Sequence, residues 1–204
     1  GKSTELLKGP NIKTLPDFEE LPDEMEIPIL LKMADNISTD GILKAGADVL
    51  PLRSNIPEIS KFAYYAIDQS FYDRAIENQK NYKGFCIIAG DNYAQGSSRE
   101  HAALAPKYLG QKFTVAKSYA RIGWQNLINF GIIPFEFKNT DDWDKLEQGD
   151  VLRIENIRKT IKNNDSITAT VVGKGIEIQL AFNISNRQVE IILKGGIINY
   201  MRKI

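Results

Sequence analysis

Cysteine and histidine are almost absent from this sequence: Cys86 is its one thiol and His101 its one imidazole. An internal disulfide is therefore excluded, and so are the several thiolates that hold an iron-sulfur cluster. No His/Cys constellation for zinc can be assembled either, so no metal is expected on this chain alone. An excess of charge is missing too. Lys and Arg number 26 and Asp and Glu 26, which leaves no net field to steer the protein toward nucleic acid or an anionic membrane. No apolar run approaches the ~18 to 20 residues that cross a bilayer, and the first ten residues lack the apolar core of a signal peptide. The expectation is a cytoplasmic protein with neither a membrane nor a nucleic acid as partner.

What is present is enough apolar material for a real core. With 204 residues and 43% hydrophobic content, the chain is expected to form one ordinary domain, with or without a tail. Pro10, Pro16, Pro22 and Pro28, interleaved with acidic residues from Asp17 to Glu26, permit extended chain but no useful helix. Residues 1–28 therefore read as an interdomain linker to something on the N-terminal side, and residues 29–204 as the domain. Apolar periodicity predicts strands at Ile27–Met33, Phe85–Ala89, Phe113–Ala116 and Ile132–Phe137. Helices are predicted from Pro57 to Ile67, from Phe71 to Ile76, from near Ser97 and from Ile122 to Asn129. That is the rhythm of an α/β core. Further on, Val151–Ile154, Ser166–Val172, Ile176–Phe182 and Gln188–Leu193 read as strands separated by Gly or Asn turns.

The chemistry concentrates in Gly90-Asp91-Asn92-Tyr93-Ala94-Gln95-Gly96-Ser97-Ser98-Arg99-Glu100-His101. A strand running into a glycine-containing loop and then a helix points free backbone N–H groups at whatever occupies the loop, which suits an anion. Ser98 and Arg99 add hydroxyl and guanidinium donors for a carboxylate or phosphate. The competing reading is a plain capping box, since Ser97 and Glu100 have S-x-x-E spacing. By the same measure Asp40 reads equally well as a loop aspartate and Arg53 as a surface cation.

Taken with its continuation Ala102-Ala103-Leu104-Ala105-Pro106, this stretch resembles the signature of the aconitase superfamily. Thr39-Asp40, Pro51-Leu52-Arg53-Ser54-Asn55-Ile56-Pro57, Ala116-Lys117-Ser118-Tyr119-Ala120-Arg121-Ile122 and Asn126-Leu127-Ile128-Asn129-Phe130-Gly131-Ile132 extend the resemblance over nearly the whole chain, down to Gly9-Pro10-Asn11-Ile12-Lys13 in the linker. The resemblance implies a C-terminal swivelling domain. Its fold would be an α/β, three-layer β/β/α architecture with a mixed sheet and additional C-terminal strands.

The activity it implies is that of an aconitate hydratase, a hydro-lyase interconverting citrate and isocitrate through cis-aconitate. A [4Fe-4S] cluster would be carried by N-terminal domains absent from this chain, fused or as a separate subunit. Matched residue by residue, Ser97 is the catalytic base that exchanges a proton with the substrate carbon, and Asp40 is a catalytic aspartate. Arg53, Ser98 and Arg99 bind substrate, with Arg53 gripping the distal carboxylate of a tricarboxylate. Two positions depart from the pattern, Gly41 and Gly123 standing where histidine is usual. Homoaconitase and the small subunit of isopropylmalate isomerase share the Gly-Ser-Ser-Arg loop. The Arg53 segment favours a tricarboxylate over them where they take an apolar side group. An RNA-binding module is a further alternative, which the charge balance disfavours.

Overall fold

The computed structural model describes Gly9, residues 11–163 and residues 165–202. In the expected linker, Gly9 and residues 11–24 form no helix or strand, and its first eight residues and Pro10 lie outside the described ones. Its end is not linker. Strand β1 (Met25–Lys32) begins three residues before the expected boundary at 28 and pairs with two neighbours at once. It runs parallel to β2 (Phe85–Ala89) and antiparallel to β5 (Val151–Ile154), Met25 facing Ile154 and Pro28 facing Val151.

That double pairing closes the mixed sheet into a seven-stranded barrel. Strands β1, β2, β3 (Gln111–Ala116) and β4 (Ile133–Phe137) are parallel, and β4 then meets β7 (Ile176–Ala181), which continues through β6 (Ile167–Val171) and β5 back to β1. One core fills the barrel, with Ile29, Cys86, Ile88, Phe113, Val115, Phe135 and Leu180 among its members. A second core lies outside the parallel strands, where Leu31, Phe85, Ile87 and Ala89 meet a layer of helices. The odd and even residues of β2 thus serve different cores, which is why Phe-Cys-Ile-Ile-Ala is apolar throughout.

The helices of that layer are α1 (Thr39–Ile42), α2 (Ile56–Ile59), α3 (Phe71–Asn78), α4 (His101–Tyr108) and α5 (Arg121–Asn129). Toward the C-terminus come α6 (Ile157–Asn163), α7 (Asn186–Leu193) and α8 (Ile197–Arg202).

Three expected elements take another form. The helix from Pro57 stops early: α2 gives way to a 3₁₀ turn at Ser60–Phe62, and Tyr64 adopts φ +55°. The cause is tertiary, because the Tyr64 hydroxyl is buried 2.8 Å from that of Tyr93 and donates to Gln111 Oε1 at 3.0 Å. Helix α4 starts at His101, not near Ser97, and Ser97 caps nothing. Gln188–Leu193 is helical rather than a strand. A capping box between Ser185 and Gln188 starts α7, whose Val189, Ile192 and Leu193 turn inward at helical spacing.

Candidate functional site

Strands β1, β2 and β3 end on the same side of the sheet, and the loops that leave them interlock there. Open parallel sheets bind ligands at this carboxyl edge, and here the loops hold one another by backbone bonds. Thr39 N–H donates to Gln95 O at 2.8 Å, Asn36 N–H to Asp91 O at 2.7 Å, and Ala120 N–H to Tyr93 O at 2.9 Å. The Ser118 hydroxyl accepts from Asn92 N–H at 2.8 Å and donates to Asp91 Oδ1 at 2.9 Å. Three segments that are far apart in sequence become one platform.

Ser97 lies exposed on this platform, just after Gly96 at φ +108°. Its N–H donates to the Thr39 hydroxyl at 3.2 Å, and its own Oγ is 3.2 Å from the same Thr39 oxygen. The backbone N–H groups of Ser98, Arg99, Glu100 and His101 donate to no described group. These four amides follow Ser97 directly in sequence and run into the first turn of α4, where such groups carry partial positive charge. Ser98 is exposed as well.

Arg99 and Asp40 come together. The guanidinium donates through Nη2 to Asp40 Oδ1 at 3.0 Å, and through Nη1 to the backbone oxygens of Thr39 at 3.3 Å and Leu43. Three of its five donors are thereby spent on α1, leaving Nε and one Nη2 hydrogen for another acceptor. Asp40 also accepts from Ala45 N–H at 3.3 Å, and its side chain is 66% exposed against 16% for Arg99. The pair fixes α1 to the Ser97 loop.

Arg53 sits at the end of the 3₁₀ turn Leu50–Leu52, exposed, its guanidinium paired with no described group. Its carbonyl accepts from His101 Nε2 at 2.8 Å. His101 thus joins the Arg53 turn to the start of α4.

Two residues do more at the platform than the sequence reading assigned to them. Thr39 contacts Ser97 twice and Arg99 once, yet only its place beside Asp40 marked it. Gly123 opens the approach of α5 to the loop: a Cβ there would lie 2.7 Å from Ala94 O, and Ala94 is itself held at φ +63°. The missing side chain at 123 is a packing requirement. At Gly41 a Cβ would meet nothing nearer than 3.7 Å, so the absent side chain there answers no contact.

Cys86 does not suit a cluster ligand. It is buried inside the barrel with its thiol directed at Pro28 O, 3.5 Å away, and burial pushes its pKa well up, against the thiolate form. Among the described residues no three His, Cys, Asp or Glu side chains converge on a metal position. A groove of about 850 Å³ at the opposite end of β1 is lined by Glu19, Asp23, Glu26 and Glu155 together with Lys112. Its carboxylates would repel an acidic substrate, and none of the predicted site residues lines it. No helix among the described residues is long and apolar enough to cross a membrane.

The aconitase C-terminal domain family model matches residues 36–140, the stretch that carries the whole platform. The chain is 37% identical over 172 residues to 3-isopropylmalate dehydratase small subunit 1 of Thermotoga maritima, covering 84% of this chain and 92% of that one. It is 30% identical over 205 residues to the mitochondrial homocitrate dehydratase of Saccharomyces cerevisiae, covering 89% of this chain and only 26% of the yeast protein. The crystal structure of 3-isopropylmalate dehydratase from Methanocaldococcus jannaschii superposes with a TM-score of 0.70 at 30% identity, over 88% of this chain and 94% of that one. The fold is that of a domain from the aconitase group of hydro-lyases. This chain belongs to the aconitase C-terminal domain family.

Proposed function

We propose that this chain is the substrate-holding and proton-transferring part of an aconitase-type hydro-lyase. The observation that carries the reading is the exposed Ser97 hydroxyl, followed in sequence by four backbone amides with no partner among the described residues. A serine is a poor base in water, but an alkoxide facing fixed N–H dipoles is stabilised without reorganisation. Ser97 in that form takes the proton from the substrate carbon, and its hydroxyl returns one in the reverse direction. Ser98, the free amides and the remaining Arg99 donors hold carboxylate oxygens, and Asp40 keeps Arg99 in place.

The [4Fe-4S] cluster of the family has no fitting ligands here, so it belongs to a partner domain or subunit, and the site is complete only against that partner. The substrate class turns on Arg53, whose unpaired guanidinium fits a further carboxylate. It supports a tricarboxylate of the citrate or homocitrate type, and the relatives do not single out citrate among these. The second reading is an isopropylmalate substrate, favoured by the 37% identity to a small subunit of nearly equal length. Kinetics of the chain assembled with its cluster-bearing partner decide between them. Isocitrate and homoisocitrate should be turned over in preference to 3-isopropylmalate, and Arg53→Lys should raise KM for them by about ten- to a hundredfold, the worth of a charge-assisted contact. Preference for 3-isopropylmalate, or equal losses on all three, would place Arg53 outside substrate recognition.

A further inference from the structure

We propose that Thr39 is a positioning residue for proton transfer, its hydroxyl serving as the fixed donor to the Ser97 alkoxide. The inference rests on the reading of Ser97 as the base. Thr39 Oγ1 is 3.2 Å from Ser97 Oγ and accepts the Ser97 amide hydrogen at 3.2 Å. With Ser97 protonated, either hydroxyl can donate to the other. Once Ser97 has lost its proton only one sense remains, because an alkoxide has no hydrogen and Thr39 must then be the donor. The contact therefore strengthens when Ser97 loses its proton, which favours the alkoxide over the resting hydroxyl and raises the fraction of Ser97 able to take the substrate proton.

The surroundings allow Thr39 no other position. It is 2% exposed, so water does not compete for its hydroxyl. Its N–H is bound to Gln95 O at 2.8 Å, and its carbonyl accepts from Leu43 N–H at 2.9 Å and from Arg99 Nη1 at 3.3 Å. Gly96 completes the approach, since a Cβ at that position would lie 3.2 Å from Thr39 Oγ1. A donor held on both backbone groups and shielded from solvent supplies its dipole with no reordering at the moment of transfer. Such a donor also lowers the pH at which Ser97 becomes competent.

The test uses the chain assembled with its cluster-bearing partner, assayed on isocitrate and on 3-isopropylmalate, with Ser97→Ala as reference. Thr39→Val keeps shape and removes the hydroxyl. It should lower kcat by about ten- to a hundredfold, leave KM within about threefold, and move the rising limb of the pH-rate profile up by about one to two units. Thr39→Ser should restore both rate and pH profile. Unchanged kcat in Thr39→Val would overturn the proposal, and so would equal impairment of Val and Ser variants with an unmoved pH limb, which is the mark of a packing role. Should Thr39→Val fail to fold, Thr39→Ala takes its place; failure of both with Thr39→Ser intact puts the hydroxyl in the fold and overturns the proposal as well. If Ser97→Ala itself retains full turnover, the reading of Ser97 as the base has failed, a result distinct from any of these.

Discussion

The parallel half of the barrel, β1 to β4, is buried on both faces almost throughout, whereas the antiparallel half, β5 to β7, alternates buried residues with half-buried or exposed ones. The difference follows from what covers them. Helices lie over the parallel strands and create the second core, while the antiparallel strands turn one face to water. Loops leaving the doubly covered sheet are gathered into a platform that a rigid scaffold holds in register. The strands of the antiparallel half close the barrel and carry none of the site residues. Chemistry and closure are therefore separable, and substitutions in each half should report on one and spare the other.

The sharpest break would come from the closing half. Leu180 is fully buried in β7 inside the barrel, and Leu180→Ala should cost about 2 to 5 kcal/mol of stability. The assembled enzyme, assayed well below its melting temperature, should keep its kcat and KM. Denaturant unfolding and steady-state kinetics on the same preparation check both halves of that statement. A site that failed along with the strand would mean that the two regions are coupled.

A second effect belongs to the parallel half but to the end of α4 remote from Ser97. Lys107 is buried, its Nζ donating to Gly131 O at 3.0 Å, and burial lowers its pKa to about 7. Its neighbour Lys112 is lowered by burial in the same direction. For a base whose folded pKa lies below its unfolded value of about 10.4, the unfolded chain binds the extra proton between those limits. Stability should therefore rise with pH through that window. From pH 7 to pH 9 the gain should be about 1 to 2 kcal/mol, one pKa unit being worth about 1.4 kcal/mol. Buried Tyr64 and Tyr93 and half-buried Tyr119 have raised pKa values, so their opposing titration begins only above this range. Thermal melts of wild type and Lys107→Met across these pH values should show the slope in wild type and a flatter line in the variant.

The smallest effect concerns the cap of α7. Ser185→Ala removes one side of the Ser185–Gln188 box and should cost about 1 kcal/mol, with turnover unchanged. Ser97→Ala should show the reverse, full stability and lost turnover. Together the two serines set a structural S-x-x-Q against an S-x-x-E that caps nothing.

Those serines also show where sequence reading succeeds and fails. Continuous runs such as Phe85–Ala89 and alternating ones such as Ile176–Ala181 state which strands are covered twice and which once, and these were legible. Val189 to Leu193 is a short apolar run in which helix and strand periods cannot be told apart, and only the capping box at Ser185 distinguished them. Barrel closure was not legible, because it depends on Met25 meeting Ile154 across the length of the domain. Ser97, Arg99, Asp40 and Arg53 were singled out from the motif, and the structure joins Ser97, Arg99 and Asp40 around α1. That Arg99 spends most of its donors on α1, and that Thr39 holds Ser97, are consequences of tertiary approach that no local pattern encodes.

That Ser97 moves the proton, in a site shared with a cluster-bearing partner, is a proposal open to direct measurement. Its most direct test is exchange of the substrate carbon-bound hydrogen with solvent deuterium, followed by NMR on isocitrate and on 3-isopropylmalate. The assembled wild-type enzyme should exchange one of them, the chain alone should exchange neither, and Ser97→Ala in the assembly should be slower by about 10² to 10⁴ with unaltered melting. Undiminished exchange in the assembled Ser97→Ala enzyme would contradict the account.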